Sequence, residues 1–175
     1  MKAFWLLLKT LLYGGLFLAL TAWWLPLRIF ERHPQWPTAW TWAHYAGAAL
    51  VVLGMIITLH CAWLFVVRGR GTPAPFDPPG KLVRRGLYKW VRNPLYLALF
   101  ALVGGEGLFL RSWHVGVYWV CLVCLLHLLV VLHEETALRF RFGALYEDYK
   151  RDVPRWLPRK PKPILETVAP FEIRR

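Results

Sequence analysis

Four stretches of this chain contain no Asp, Glu, Lys or Arg: residues 10–27, 45–67, 93–105 and 112–132. A bilayer hydrocarbon core of about 30 Å is crossed by roughly 20 apolar residues as an α-helix. The first, second and fourth stretches meet that length. The third meets it if the helix runs on to Leu110 and accommodates Glu106. The residues are 57% hydrophobic and include 11 Trp, too apolar a mixture for an ordinary soluble domain of 175 residues. The expected fold is all-α and integral to a membrane, with about four transmembrane helices and a C-terminal amphipathic cytoplasmic helix.

The formal charge of +12 invites a nucleic-acid reading, but the charges are not spread as a nucleic-acid footprint would be. Residues 68–92 hold seven Lys or Arg and one Asp, and residues 133–175 hold ten Lys or Arg and seven acids. With four spans, both segments lie on the side of the N-terminus, which carries Lys2 and Lys9. The opposite side carries only Arg28, Arg32 and Arg111. This positive-inside pattern places both termini in the cytoplasm, in a multi-pass protein of the cell inner membrane. The basic excess then reads as topology and attraction to anionic lipid, with no nucleic-acid partner. A cleaved signal peptide is the rival reading of the first block. The run is long, ends in the interfacial pair Trp23-Trp24, and is followed by no clear small-x-small site. Cys61, Cys121 and Cys124 all fall inside apolar blocks, which does not suggest a disulfide framework.

Along the chain, helices are expected over 4–27 and 42–67, joined by a link rich in Trp and Pro. Residues 68–81 contain too many Gly and Pro for a regular helix and form a long loop of the kind that is usually functional or disordered. Phe76 and Leu82-Val83 favour an ordered one. A third helix begins near Pro94, since Pro is tolerated in a first turn. It ends between Gly107 and Arg111, and residues 112–114 return the chain into a fourth helix ending near Leu132. Residues 134–149 then read as an amphipathic helix with Leu138, Phe142, Leu145 and Tyr149 on one face. Gly143 weakens that helix or admits a close neighbour. The organisation is two N-terminal helices (1–67), a functional core (68–158) and a tail (159–175).

Three features could carry chemistry. The first is the run from Gly86 to Tyr96, where the basic loop enters the third helix. A helix N-terminus offers free N–H groups and a positive dipole end to a carboxylate or phosphate. Arg92 and Asn93 add hydrogen bonding, and Tyr88 and Tyr96 add aromatic walls; plain interfacial anchoring is the competing explanation. The second is His133-Glu134-Glu135 after the fourth helix, because acids at a membrane boundary are costly unless hydrated or paired. Glu135 can pair with Arg139 at i+4, leaving Glu134 free. The helical hairpin puts Glu134 and Asn93 at the same membrane face, where a ligand with both an ammonium and a carboxylate could bridge them. The third is Cys121-x-x-Cys124-x-x-His127. Three ligands in lipid make a poor metal site, and packing with a helix-to-helix hydrogen bond explains them better, so no metal is expected. His60 and Glu106 read as similar interior polar contacts. The chain shows no dinucleotide fingerprint, phosphate-binding P-loop or nucleophile elbow.

The run Gly80-Lys81-Leu82-Val83-x-x-Gly86-Leu87-Tyr88-x-Trp90-x-Arg92-Asn93-Pro94-x-Tyr96 resembles the signature of the isoprenylcysteine carboxyl methyltransferase family. That family is one of membrane methyltransferases related to the phospholipid methyltransferases. So does Glu134-Glu135-x-x-Leu138 followed by Phe142-Gly143-x-x-Tyr146-x-x-Tyr149 and Val153-Pro154. The resemblance covers about half of the chain, residues 71–158. It implies S-adenosylmethionine as cofactor, held at the cytoplasmic face by Leu82, Val83, Tyr88, Asn93, Pro94, Leu95, Tyr96 and Glu134. It also implies direct methyl transfer to a lipid-like or lipidated acceptor whose nucleophile is a carboxylate, amine or hydroxyl. His133 or Glu135 could serve an acceptor that needs a base. The chain departs from the eukaryotic members in two ways. Asn93 stands where they have His, and residues 128–132 offer no Arg beside the acceptor. A membrane reductase using a nicotinamide cofactor and a non-catalytic membrane accessory protein are the alternatives.

Overall fold

A computed structural model describes residues 12, 14–29, 39–64 and 82–161 of the chain. Among these, all regular structure is helical: α1 (Gly14–Ile29), α2 (Trp42–Leu64), α3 (Pro94–Phe109), α4 (Trp113–Phe142) and α5 (Ala144–Asp152). A short 3₁₀ turn, Gly86–Lys89, precedes α3. Residues 4–11 and 13 of the expected first helix, 30–38 of the link, 65–67 of the expected second helix, the loop over 68–81 and the tail from 162 lie outside the described residues.

The burial pattern of α2 is inverted relative to a soluble helix. Its interior stripe is His44, Gly47, Gly54, Thr58 and Cys61, whereas Trp42, Tyr45, Val52, Ile56, Leu59 and Trp63 face outward. Small groups inside and bulky apolar groups outside suit a helix surrounded by lipid, where tails offer large side chains as good an environment as a core does. Two helices, Trp42–Leu64 and Trp113–Phe142, are long and apolar enough to cross a membrane; Gly14–Ile29 and Pro94–Phe109 are apolar but shorter.

The α2–α3 contact is set by glycine. A Cβ on Gly47 would stand 2.6 Å from both the Gly105 carbonyl oxygen and the Phe109 amide nitrogen, and one on Gly54 would stand 2.8 Å from the Ala98 carbonyl oxygen. The two backbones therefore touch, and dispersion over this close approach replaces the hydrophobic drive that lipid does not supply. On the other flank, α3 packs on α4 and α1 through Ala22, Leu99, Leu102, Val103, Val115, Leu122 and Leu126. Trp119 Nε1 donates to the Phe100 carbonyl (2.8 Å) and the Tyr118 hydroxyl donates to the Thr21 carbonyl (2.8 Å), so both polar tips end on backbone acceptors.

The α3–α4 turn is tighter than expected. It occupies Leu110–Ser112, with Arg111 at φ 50° and the Ser112 hydroxyl accepting from the Val115 amide at 3.4 Å, and α4 already begins at Trp113. At the other end, α4 does not stop near Leu132. It passes through a π-helical turn, Val130–Glu134, and continues to Phe142. No Gly, Pro or competing cap interrupts it, so the fall in hydropathy marks a change of surroundings and not a helix end.

The helix expected over 134–149 is broken at Gly143. That residue adopts φ 52°, ψ −128°, a conformation glycine alone takes readily. A Cβ there would meet no atom within 4 Å, so the backbone angle, and not a close neighbour, calls for glycine. The break also resets the inward face. Leu138 and Phe142 still pack inward, but they continue into Tyr146, Tyr149 and Val153, while Leu145 points out.

Candidate functional site

Three pieces of chain meet where α3 starts and α4 leaves its apolar section. The first is the approach to α3. Val83 and Tyr88 are buried with Cys61, and Leu87 and Leu95 pack around them. Gly86, at φ 58°, lets this loop lie against α2, since a Cβ would stand 2.7 Å from Leu64 and 2.9 Å from the His60 ring. Pro94 is buried at the first turn of α3.

The second piece is the π-helical turn of α4. One extra residue in a turn rotates the following helix by about 100° relative to an unbroken one. Glu134 thereby accepts a hydrogen bond from the Tyr96 hydroxyl on α3. Its neighbour Glu135 is buried on the side facing the loop.

The third piece is the segment after α5. It runs back along the α3 approach: the Arg92 amide donates to the Pro154 carbonyl (2.9 Å) and the Arg159 amide to the Trp90 carbonyl (3.0 Å). Asn93 Nδ2 donates to the Arg155 carbonyl (3.3 Å), and the Tyr149 hydroxyl donates to the Tyr88 carbonyl (2.8 Å). Asn93 thus serves as a strap to the C-terminal segment and makes no side-chain cap on α3. Burial pushes the Tyr149 phenol up, keeping it a donor.

At the junction of all three sits an ionic cluster. Arg155 grips Glu135 through both carboxylate oxygens, Nε to Oε1 at 2.6 Å and Nη2 to Oε2 at 3.0 Å. Arg92 Nη1 reaches the same Glu135 Oε1 at 3.0 Å and also donates to the Tyr146 hydroxyl at 3.2 Å. The bond to Glu135 holds the Arg155 guanidinium protonated above its ordinary range. Two guanidiniums on one carboxylate leave one positive charge in excess. Arg92 Nε is buried with no partner among the described residues. The cluster corrects the expected pair between Glu135 and Arg139. Arg139 instead binds Glu147 of α5 at 2.6 Å. The Arg139 side chain is exposed and turns to α5, while the Glu135 carboxylate is buried against Arg92 and Arg155.

The sequence-derived residues therefore sit on distinct walls. Tyr96 and Glu134 are in direct contact; Asn93 and Pro94 lie at the α3 start; Val83, Tyr88 and Leu95 belong to the packing against α2. Leu82 packs on the Tyr146–Tyr149–Val153 cluster. Sequence reasoning assigned no role to Arg155, Tyr146 or Trp156. Arg155 and Trp156 fall inside the expected core, but only the Tyr146-x-x-Tyr149 and Val153-Pro154 spacing hints that the chain stays folded there. In the Cys121-x-x-Cys124-x-x-His127 stripe, both cysteines are exposed and His127 Nδ1 accepts from Trp156 Nε1 at 3.0 Å.

A family model described as phospholipid methyltransferase matches residues 42–144, more than half of the chain. The chain belongs to this family of membrane methyltransferases. The match spans α2 through the Gly143 break and contains the α3 approach, the hairpin and both glutamates. Comparison with curated proteins and with solved structures found no match.

Proposed function

We propose that this phospholipid methyltransferase family member transfers a methyl group from S-adenosylmethionine to a lipophilic acceptor held in the membrane. The observation that carries the reading is the pairing, within two adjacent residues, of opposite electrostatic environments. Glu134 keeps a carboxylate oxygen that Tyr96 does not occupy, while the Arg92–Glu135–Arg155 cluster is one charge positive. An amino-acid group carries the complementary pair. Its ammonium suits Glu134, and its carboxylate suits Arg92 Nε and the N-terminus of α3. Leu82, Val83, Tyr88, Asn93, Pro94 and Leu95 would form the remaining walls.

When bound, the cofactor supplies an electrophilic methyl group on a sulfonium, which leaves as a neutral thioether. The protein's part is alignment and exclusion of water. A carboxylate acceptor needs no proton removed, whereas an amine or hydroxyl gives one up, and His133 stands next to Glu134 for that role. The chain is proposed to cross the membrane four times with both termini in the cytoplasm. At 1.5 Å per residue Gly14–Ile29 and Pro94–Phe109 cover only about 24 Å each, so in this reading the bilayer thins around them.

Calorimetric titration of the full-length protein in detergent with S-adenosylmethionine, its demethylated product and a reduced nicotinamide dinucleotide tests the reading. The first two bind and the third does not. Glu134→Gln weakens both by tenfold or more without changing the thermal midpoint. Absence of binding at millimolar concentration by either sulfur compound refutes the proposal, and binding of the dinucleotide alone would favour a reductase.

A further inference from the structure

Between α2, α3 and α4 lies an apolar cavity of about 500 Å³. Its walls include Leu50, Phe100, Gly104, Gly107, Gly116 and Trp119. The volume is that of a small-ligand site. Glycine keeps it open: a Cβ on Gly116 would meet no atom within 4 Å, and one on Gly107 would find its nearest neighbour at 3.4 Å. At the turn end Ser112 lines it, its hydroxyl accepting from the Val115 amide, and the Trp119 indole N–H is spent on the Phe100 carbonyl, so the walls named are otherwise apolar.

The inner end is different. The Phe100 ring packs on Trp156 at 5.6 Å between centroids, and Trp156 is tied by its indole N–H to His127 on α4. The residue before it is Arg155, which grips Glu135. Phe100 of the cavity wall and Glu135 of the polar site thus contact adjacent residues, Trp156 and Arg155. From Phe100 to Leu108 the helix rises about 12 Å, the reach of the groove along α3.

We infer that this groove holds the hydrocarbon chain of the methyl acceptor, with its reacting head at the Glu134–Glu135 end and Trp156 as the partition between tail and head. The inference rests on the proposed methyltransferase reading and names where the acceptor sits. In lipid an apolar wall by itself does not prefer one chain over another, because bulk tails are equally apolar. Selection comes from the head. Once a nucleophilic head is held at the polar end, its own chain is presented to the groove at a high effective concentration. A lipid whose head is not held has no such advantage.

The test is photolabelling of the full-length chain in lipid nanodiscs doped with a diazirine-bearing palmitoyl chain. The chain is carried in turn by phosphatidylethanolamine, by free palmitic acid and by phosphatidylcholine, whose quaternary head has no site to methylate. Label on the peptide spanning residues 100–119, relative to the lipid-exposed Leu125, Leu128 and Leu132, is expected at least fivefold higher for one of the two nucleophilic lipids than for phosphatidylcholine. Gly116→Phe fills the groove from a position with room for it. It is expected to lower that label at least fivefold and to leave binding of the demethylated cofactor within twofold. Equal labelling by all three lipids, or enrichment that survives Gly116→Phe, overturns the inference and leaves bulk lipid as the occupant. Loss of cofactor binding in the unmodified protein refutes the parent reading instead, and the labelling ratio still decides the groove.

Discussion

Removing the carboxylate of Glu135 is the perturbation with the clearest expected magnitude. The Glu135 and Arg92 side chains are only 10% and 8% exposed, so this pair lies in a low-dielectric setting. Glu135→Ala leaves the Arg92 charge buried with the Tyr146 hydroxyl as its remaining side-chain partner, and it frees Arg155 from the π-helical turn. Breaking a buried pair by deleting one partner costs about 3 to 5 kcal/mol, mostly as the penalty of the stranded charge. That is roughly two to four powers of ten in the unfolding constant. The internal control is Arg139→Ala. Its pair with Glu147 is just as short at 2.6 Å, but the side chains are 59% and 47% exposed, and such pairs contribute about 0 to 1 kcal/mol. Denaturant unfolding of the two variants in the same bicelles, followed by Trp fluorescence, measures the difference. Similar costs for both would refute the claim that burial, and not proximity, gives the cluster its strength. Glu135→Gln should fall between them, since it keeps one acceptor oxygen for the guanidiniums and loses the charge.

Other outcomes follow from the same geometry. Tyr96→Phe removes the donor to Glu134 and nothing else; a net hydrogen bond to a charged group contributes about 1.5 to 3 kcal/mol, so the unfolding free energy should fall by about that amount in the same denaturant assay, and an unchanged value would contradict the bond. Gly54→Leu pushes side-chain atoms into the Ala98 carbonyl and Leu102, so α2 should separate from α3 and the purified protein should elute aggregated; a monodisperse variant would contradict the close packing. Gly143→Ala meets no steric neighbour but must hold a positive φ, and a loss of about 1 to 3 kcal/mol in the same unfolding assay is expected, against none if the break relaxes. A reporter active only in the cytoplasm, fused after Arg175, should be active, and an inactive fusion would overturn the proposed orientation.

Much of the architecture is legible in the order of residues because the bilayer imposes a coarse filter. Charge-free blocks of fixed length, Pro94 at a helix start and the short return before the fourth block are local signals, and α2, α3 and the start of α4 follow them closely. The helix end expected near Leu132 was read from hydropathy alone. Hydropathy reports the surroundings of a helix and not its hydrogen bonding, so α4 continues past that point. The face of the amphipathic segment was misread at Leu145 because one glycine with a positive φ resets the phase, and no periodicity count registers a backbone angle.

The opposed motifs around Tyr96 and Glu134 were visible in the sequence, along with the hairpin that would bring them to one face. Their hydrogen bond was not: the sequence offers Tyr96 as an aromatic wall and Glu134 as a free acid, and the structure joins the two. The role of Glu135 was not visible. Its i+4 neighbour Arg139 was the obvious partner by local spacing, and the π-helical turn that sends it instead to Arg92 and Arg155 is a single extra residue in a helix of unremarkable composition. The chain by itself determined the membrane setting, the hairpin and the acid at its mouth, because these depend on hydropathy and short-range geometry. Only the tertiary structure decided that Arg155 and Trp156 fold back, Arg155 to complete the polar cluster and Trp156 to reach His127 and Phe100. Those contacts join residues separated by 20 or more positions, and nothing local encodes them.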